Sequence, residues 1–378
     1  MKNLFTLLFV AYSIFLNAQD SFIIKDVRVF DGEKTIEKTS VLVEDGLIAE
    51  INSEIKGNHT TIDGSGKTLI PAMTNAHVHA WASASLQEAA KAGVLNLFDM
   101  HGVEPYQKTM VALKDSTNYA NYYIAGYAAT APDGHGTQYG FPVPTLSSPK
   151  EAERFVSDRI NGGADYIKII VEPWKTTLDI ETVKAIIDET HKNKKIAVVH
   201  VSKAQDAYNV LSNNADGLVH IWDDKVMSKE KLEELTEEKD FFVIPTVLTT
   251  LKFHKMLKEQ SPDVKRISED ELKAEVKRLY DMGVPILAGT DPPNLQINYG
   301  TDLYKELKLL VEAGIPNIDV LKGATSSPIK RFNLGNKGMI KKDYVADMIL
   351  IDGNPLENID DISKIKTVWK AGKKVTLE

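Results

Sequence analysis

Eight short apolar runs, each followed by a stretch with helical spacing or a loop, divide the middle of this 378-residue chain. The runs fall at 69–78, 93–100, 122–128, 165–171, 196–201, 217–222, 241–248 and 284–290. Helical patterns lie between them, at 148–161, 179–192, 268–282 and 304–313 among others. Ser268, with Glu271 three residues on, has the form of a capping box and marks a helix start. Strands alternating with helices build parallel sheets. Eight such units over roughly 260 residues give the beat of a (β/α)8 TIM barrel. A doubly wound open sheet is the alternative. The polar residues favour the barrel, because they sit at the C-terminal ends of runs one, four, five, six and eight. A closed barrel brings those ends to one mouth.

Both ends of the chain have a different texture. Short β-rich segments at 21–30, 39–44 and 47–51 are punctuated by Gly32, Gly46 and Gly57. Similar segments recur at 347–352, 365–370 and 373–377. The expectation is a small β-sandwich assembled from the two termini (19–70 and 335–378) around the barrel (71–334). Residues 1–18 read as a secretory signal. Lys2 begins it, residues 4–16 form the apolar stretch, and Leu16-Asn17-Ala18 is a cleavage site. That apolar run is too short to span a bilayer comfortably. The expected location is therefore periplasmic or secreted, without a membrane anchor. A net charge of -8 excludes a basic nucleic-acid binder. With no cysteine in the chain, any metal site must use histidine, carboxylate or lysine-derived oxygen.

Such ligands are present. His77 and His79 close run one, and alternate residues of a strand share a face. Lys168 lies within the apolar run 165–171, where a charged ammonium is costly. Either it pairs with a neighbouring acid, or it is neutral and adds CO2 to become an anionic carbamate. His200 ends run five, His220 ends run six and Asp291 ends run eight. Gly64-Ser-Gly-Lys-Thr68 imitates part of a phosphate-binding loop. It lacks the glycine that motif needs at position 61, and it leads into a strand.

These segments together resemble the amidohydrolase superfamily, in its imidazolonepropionase-like or prolidase-like branch. The matching stretches are 70–79, Gly134-His135-Gly136, 163–169, Val199-His200, His220, Ala288-Gly-Thr-Asp-Pro292, 323–328 and 338–350. The resemblance implies two divalent cations, zinc by first choice. His77, His79 and Asp291 would hold one, His200 and His220 the other, and carboxylated Lys168 would bridge them. It also implies attack by a metal-bridging hydroxide on an amide or peptide-like C–N bond, with Asp291 moving the proton. Expected substrates are dipeptides, N-acyl amino acids or cyclic amides, and a homo-oligomer is compatible with the fold. A lactonase or phosphotriesterase-like hydrolase is an alternative. So is a mononuclear deaminase or imidazolonepropionase, although Val201-Ser-Lys203 after His200 does not suit that reading.

His135, in a glycine-rich loop after run three, reads by position as a turn histidine, and the resemblance makes it the candidate to polarise a substrate carbonyl. Tyr139, His101 and Trp222 are further substrate candidates, and Trp174 is a candidate for the pocket wall. His59, His191 and His254 fall on turns or helices and read as facing solvent.

Overall fold

The computed structural model describes residues 21–377, so the expected signal at 1–18 lies outside it. The described chain is a mixed α/β protein. Its N-terminal strands are β1 (Phe22–Phe30), β2 (Thr35–Glu44), β3 (Leu47–Asn52), β4 (Thr60–Asp63) and β5 (Thr68–Pro71). The central strands are β6 (Met73–Val78), β7 (Val94–Asp99), β8 (Asn121–Ile124), β9 (Ile167–Ile170), β10 (Ala197–His200), β11 (Gly217–Val219) and β12 (Phe242–Ile244). The chain finishes with β13 (Met348–Ile351), β14 (Ile365–Lys370) and β15 (Lys373–Lys374).

The two termini do meet, but as one continuous eight-stranded sheet instead of two stacked ones. Its order is β15-β14-β13-β5-β1-β2-β3, with β4 also paired to β1. The joint is β5, which runs parallel to β1 on one side and antiparallel to β13 on the other. Phe22, Val29, Val41, Leu69, Met348 and Trp369 fill one core on this sheet. Lys370 ties it to the rest of the molecule, because its buried ammonium donates to the carbonyls of Lys114, Ser116 and Tyr119.

The central strands form two parallel sheets, β6-β7-β8 and β9-β10-β11-β12. Run one of the sequence is split between β5 and β6, with Ala72 at the change of sheet. Parallel pairing of Ala129 with Ile169 links β8 to β9. Run eight (284–290) forms no ladder of its own, unlike the expected strand. Its backbone bonds are shared out: Leu287 donates to Val243, Ala288 donates to Gly323, and the carbonyl of Ala288 accepts from Ala76. Pro285 has no N–H to donate. The period of two shows in the packing. Phe98, Val198, Val219, Phe242 and Leu287 lie in one cluster. Their neighbours Leu97, Val199, Leu218, Val243 and Ala288 lie in another, which also contains helical residues such as Ile186 and Val210.

The helices begin where the sequence signals them. The Glu269–Asp281 helix carries the full Ser268/Glu271 capping box, and Asp179 caps the Ile180–Lys192 helix. Among the described residues, no helix is long and apolar enough to cross a membrane.

Candidate metal centre

The C-terminal ends of the central strands open on one cavity of about 670 Å3. Six of the chain's nine histidines form a continuous series of ring neighbours there. The neighbouring centroids are 6.5 Å apart for His101–His79, 5.1 Å for His79–His77 and 4.9 Å for His77–His220. They are 4.7 Å apart for His220–His200 and 5.0 Å for His200–His135.

The tightest cluster is His77, His79 and Asp291. The two Nε2 atoms are 3.2 Å apart and lie 3.3 and 3.2 Å from Asp291 Oδ1. His79 donates Nδ1–H to the carbonyl of His101 (3.0 Å). A neutral His79 therefore turns a bare Nε2 lone pair toward a carboxylate oxygen. That contact is repulsive unless a cation or proton lies between them. The pKa shifts follow the same tension. Burial opposes charging of His79, but the bond to Asp291 and its charge outweigh burial and raise the pKa. Burial likewise opposes ionised Asp291, and His79 overcomes it, so that pKa falls. Burial, and then the neighbouring cationic groups, hold His77, His200 and His220 well below the usual range. These three are neutral ligand-type imidazoles at neutral pH.

Lys168 lies in β9, is buried and lines the same cavity. Burial brings its pKa down to about 7, against the pull of Asp291 and Asp99. No hydrogen bond or ion pair occupies Nζ among the described residues. A salt bridge to a neighbouring acid is thus not formed, and a large fraction of neutral amine is present at pH 7.

Backbone geometry sets these side chains. His220, Thr246 and Asp291, at the ends of β11, β12 and run eight, have φ of 67°, 46° and 58°. Non-glycine residues rarely adopt such angles, and they concentrate at functional sites. Asn75 accepts from the Thr290 and His77 N–H groups and donates to Thr290 Oγ1 (2.7 Å), stitching β6 to the segment that carries Asp291. Gly289 lets the same segment approach, since a Cβ there would sit 3.0 Å from His77 N and 3.1 Å from its Cβ.

Three site residues were not singled out in the sequence. Glu172 accepts from His200 Nε2 (3.0 Å) and Ser202 Oγ (2.8 Å). Lys168, Ile170 and Glu172 all line the cavity, so the period of two was a usable signal. Thr246 Oγ1 lies 2.6 Å from His220 Nδ1. Arg266 stands on the cavity wall, bonded to Asp223.

The substrate candidates divide. His135 lines the cavity, with Nδ1 3.2 Å from Gln138 Nε2 and its ring beside Trp174. Trp174 and Tyr139 are exposed at the rim. His101 faces the cavity, but both of its ring nitrogens are engaged. Nδ1 accepts from Ala128 N–H, and Nε2 donates to the Gly136 carbonyl. It shapes the loop that carries His135 and offers no free nitrogen to a substrate. Trp222 is a correction, because it is fully buried away from the cavity and donates Nε1–H to Glu275. His254 is a second correction, being half-buried and bonded to Asp223 (2.8 Å). His59 is also half-buried, against Ser21 Oγ, whereas His191 is exposed.

Residues 68–375 match the amidohydrolase family, and the chain belongs to that family. Ochratoxinase of Aspergillus niger is 24% identical over 307 residues, which span 69% of this chain and 62% of that protein. A 5-methylthioadenosine/S-adenosylhomocysteine deaminase of Pyrococcus furiosus is 23% identical over 373 residues, covering 87% and 86% of the two chains. Among solved structures, a Xaa-Pro dipeptidase with methionine in its active site superposes with a TM-score of 0.80 at 20% identity, covering 94% of this chain and 99% of that one. The A. niger ochratoxinase structure gives 0.79 at 20% identity, covering 95% and 96%. At such identities the superpositions establish the fold.

Proposed function

We propose that this protein is an exported, metal-dependent hydrolase that cuts the C–N bond of an amide or peptide-like substrate. The observation that carries this reading is the meeting of His77, His79 and Asp291 beside the unpaired, buried Lys168. The ring pairing of β6–β12 through Ala129–Ile169, Val243–Ile286 and Ala76–Ala288 supports a (β/α)8 barrel with this cluster at its mouth. The segment 1–18 supports export to the periplasm or medium.

The donor set suits two divalent ions. His77, His79 and Asp291 would hold one. His220 through Nε2, and His200 through Nδ1 because Glu172 takes its Nε2, would hold the other. Imidazole and oxygen donors favour zinc. Neutral Lys168 would add CO2, forming an N–C bond and releasing one proton, and the carbamate would join the two positions. Bound there, the cations would acidify a water molecule and polarise the scissile carbonyl.

The remaining steps belong to the protein. Asp291 takes the proton of the attacking water and returns it to the leaving nitrogen. His135, pulled toward neutrality by burial, donates Nε2–H to the carbonyl oxygen, while Nδ1 is steadied by the Gln138 amide.

A mononuclear deaminase is the second reading, favoured by the three-residue cluster and the P. furiosus relative. Metal content decides between them. Chelator-stripped protein should be inactive and regain activity with zinc, at two equivalents per chain. Lys168→Ala should fall to one equivalent or fewer and lose activity. An active Lys168→Ala protein with one metal per chain establishes the second reading. Parallel assays on N-acyl amino acids, dipeptides, lactones and phosphotriesters separate amide cleavage from the lactonase and phosphotriesterase alternatives.

A further inference from the structure

The wall of the cavity formed by Phe253, Leu257, Val264 and Leu295 is apolar except for one ion pair, Arg266 with Asp223. Both oxygens of Asp223 are used, one by Arg266 (2.7 Å) and one by His254 Nε2 (2.8 Å), and the residue is 4% exposed. The carboxylate therefore presents no free acceptor to the cavity. Arg266 is different. Its side chain is 24% exposed, only one terminal nitrogen is committed, and Nε is buried with no partner. Its guanidinium lies 5.9 Å from the Phe253 ring centroid, so the aromatic face restricts where it can swing. The other cation on this side, Lys252, already donates to the Leu295 carbonyl.

With Nε shut off from the cavity and Nη1 on Asp223, the unpartnered Nη2 end of this guanidinium, set in an apolar wall, suits an anionic oxygen acceptor such as a carboxylate. The aliphatic residues around it accommodate an apolar side chain next to that carboxylate. We propose that Arg266 is a specificity-determining residue that receives the carboxylate of the substrate's leaving amino acid, whose side chain is apolar. This rests on the amide-hydrolase reading and narrows it. The preferred substrates are N-acyl amino acids or dipeptides ending in a free carboxylate, and cyclic amides and nucleobases are disfavoured. In the cleavage, water adds its hydroxyl to the acyl carbon and its proton to nitrogen. The amino acid then leaves with its carboxylate still on Arg266.

The test compares N-acetyl-L-leucine with N-acetyl-L-leucinamide on zinc-loaded protein. The wild type should cleave the acetyl group of the acid with a KM about 10- to 100-fold lower than that of the carboxamide. Arg266→Met should raise KM for the acid by a similar factor, with kcat and the carboxamide KM changed little, and Arg266→Lys should recover part of the loss. Calorimetric binding of the same two compounds gives the answer where nothing is turned over. A preference for the acid that is lost in Arg266→Met, without turnover in the wild type, leaves Arg266 assigned and sinks the hydrolase reading. Equal wild-type affinity for acid and carboxamide overturns the assignment. So does a preference that survives in Arg266→Met. The wild-type comparison needs no variant, so a folding defect in Arg266→Met cannot obscure it.

Discussion

Glu306 offers a sharp test of how the centre is held. It lies in the Asp302–Glu312 helix, fully buried, and accepts from Val247 N–H (2.8 Å) and Leu248 N–H (2.7 Å). Those groups open the Val247–Gln260 helix, directly after Thr246 in its left-handed conformation. Burial raises the Glu306 pKa from 4.5 to about 7, against the effect of the two backbone bonds. The folded protein therefore binds this proton more tightly than the unfolded chain. Its stabilising contribution is whole below pH 4.5 and is lost as pH rises through about 7. The gap corresponds to about 3 kcal/mol, at roughly 1.4 kcal/mol per tenfold change in proton affinity. Glu306→Gln never ionises, but its amide nitrogen cannot accept, so one of the two backbone N–H groups loses its acceptor at every pH. In urea unfolding, the stability of the variant relative to the wild type should therefore rise by about 3 kcal/mol between pH 5 and pH 8, from a lower starting point at pH 5. Parallel profiles between pH 5 and 8 would show that Glu306 titrates alike in both states and refute the reasoning. A carboxylate kept at the expense of stability implies a positioning duty. The variant should therefore bind zinc less tightly than the wild type, because the N–H group that loses its acceptor no longer fixes the turn at Thr246.

Thr246→Val removes the oxygen 2.6 Å from His220 Nδ1 while keeping the branched shape. It should weaken zinc binding by about 10- to 100-fold in competition with a chromophoric chelator. Thr246→Ser should bind nearly as the wild type does, and equal affinity in all three proteins would remove Thr246 from the centre. Gly289→Ala places a methyl group against the Ile244 side chain first and His77 next. It should lower stability by about 2 kcal/mol in thermal or urea unfolding, with loss of the His77/His79 metal equivalent by elemental analysis. Full metal content in a normally stable Gly289→Ala protein would mean that the backbone approach is looser than described.

What the sequence disclosed follows from one rule and its failures. A histidine that closes an apolar run is legible because alternation fixes its side, and His77, His79, His200 and His220 meet on that basis. Lys168 is legible because its surroundings cannot stabilise a charge. The same alternation reaches Glu172, two pleats beyond Lys168, but acids near strand ends are too common to stand out without a partner, and His200 is distant in sequence. Thr246 is harder still. Its type carries no signal, and its role depends on a backbone conformation that β-branched residues seldom adopt. Trp222 shows where alternation stops. The positive φ at His220 turns the chain, so side-chain direction cannot be extrapolated two residues further, and the indole passes out of the cavity to Glu275. His254 looked exposed by helical position alone, until the loop carrying Asp223 folded over it. The single terminal sheet has a related cause. Run one reads as one apolar stretch, yet β5 and β6 within it belong to different sheets, and only tertiary pairing with β1 and β13 divides them. Local pattern therefore specifies which groups face inward along a strand. The residues that lock those groups in place sit just past the strand ends, where the chain leaves the ladder and the pattern no longer applies.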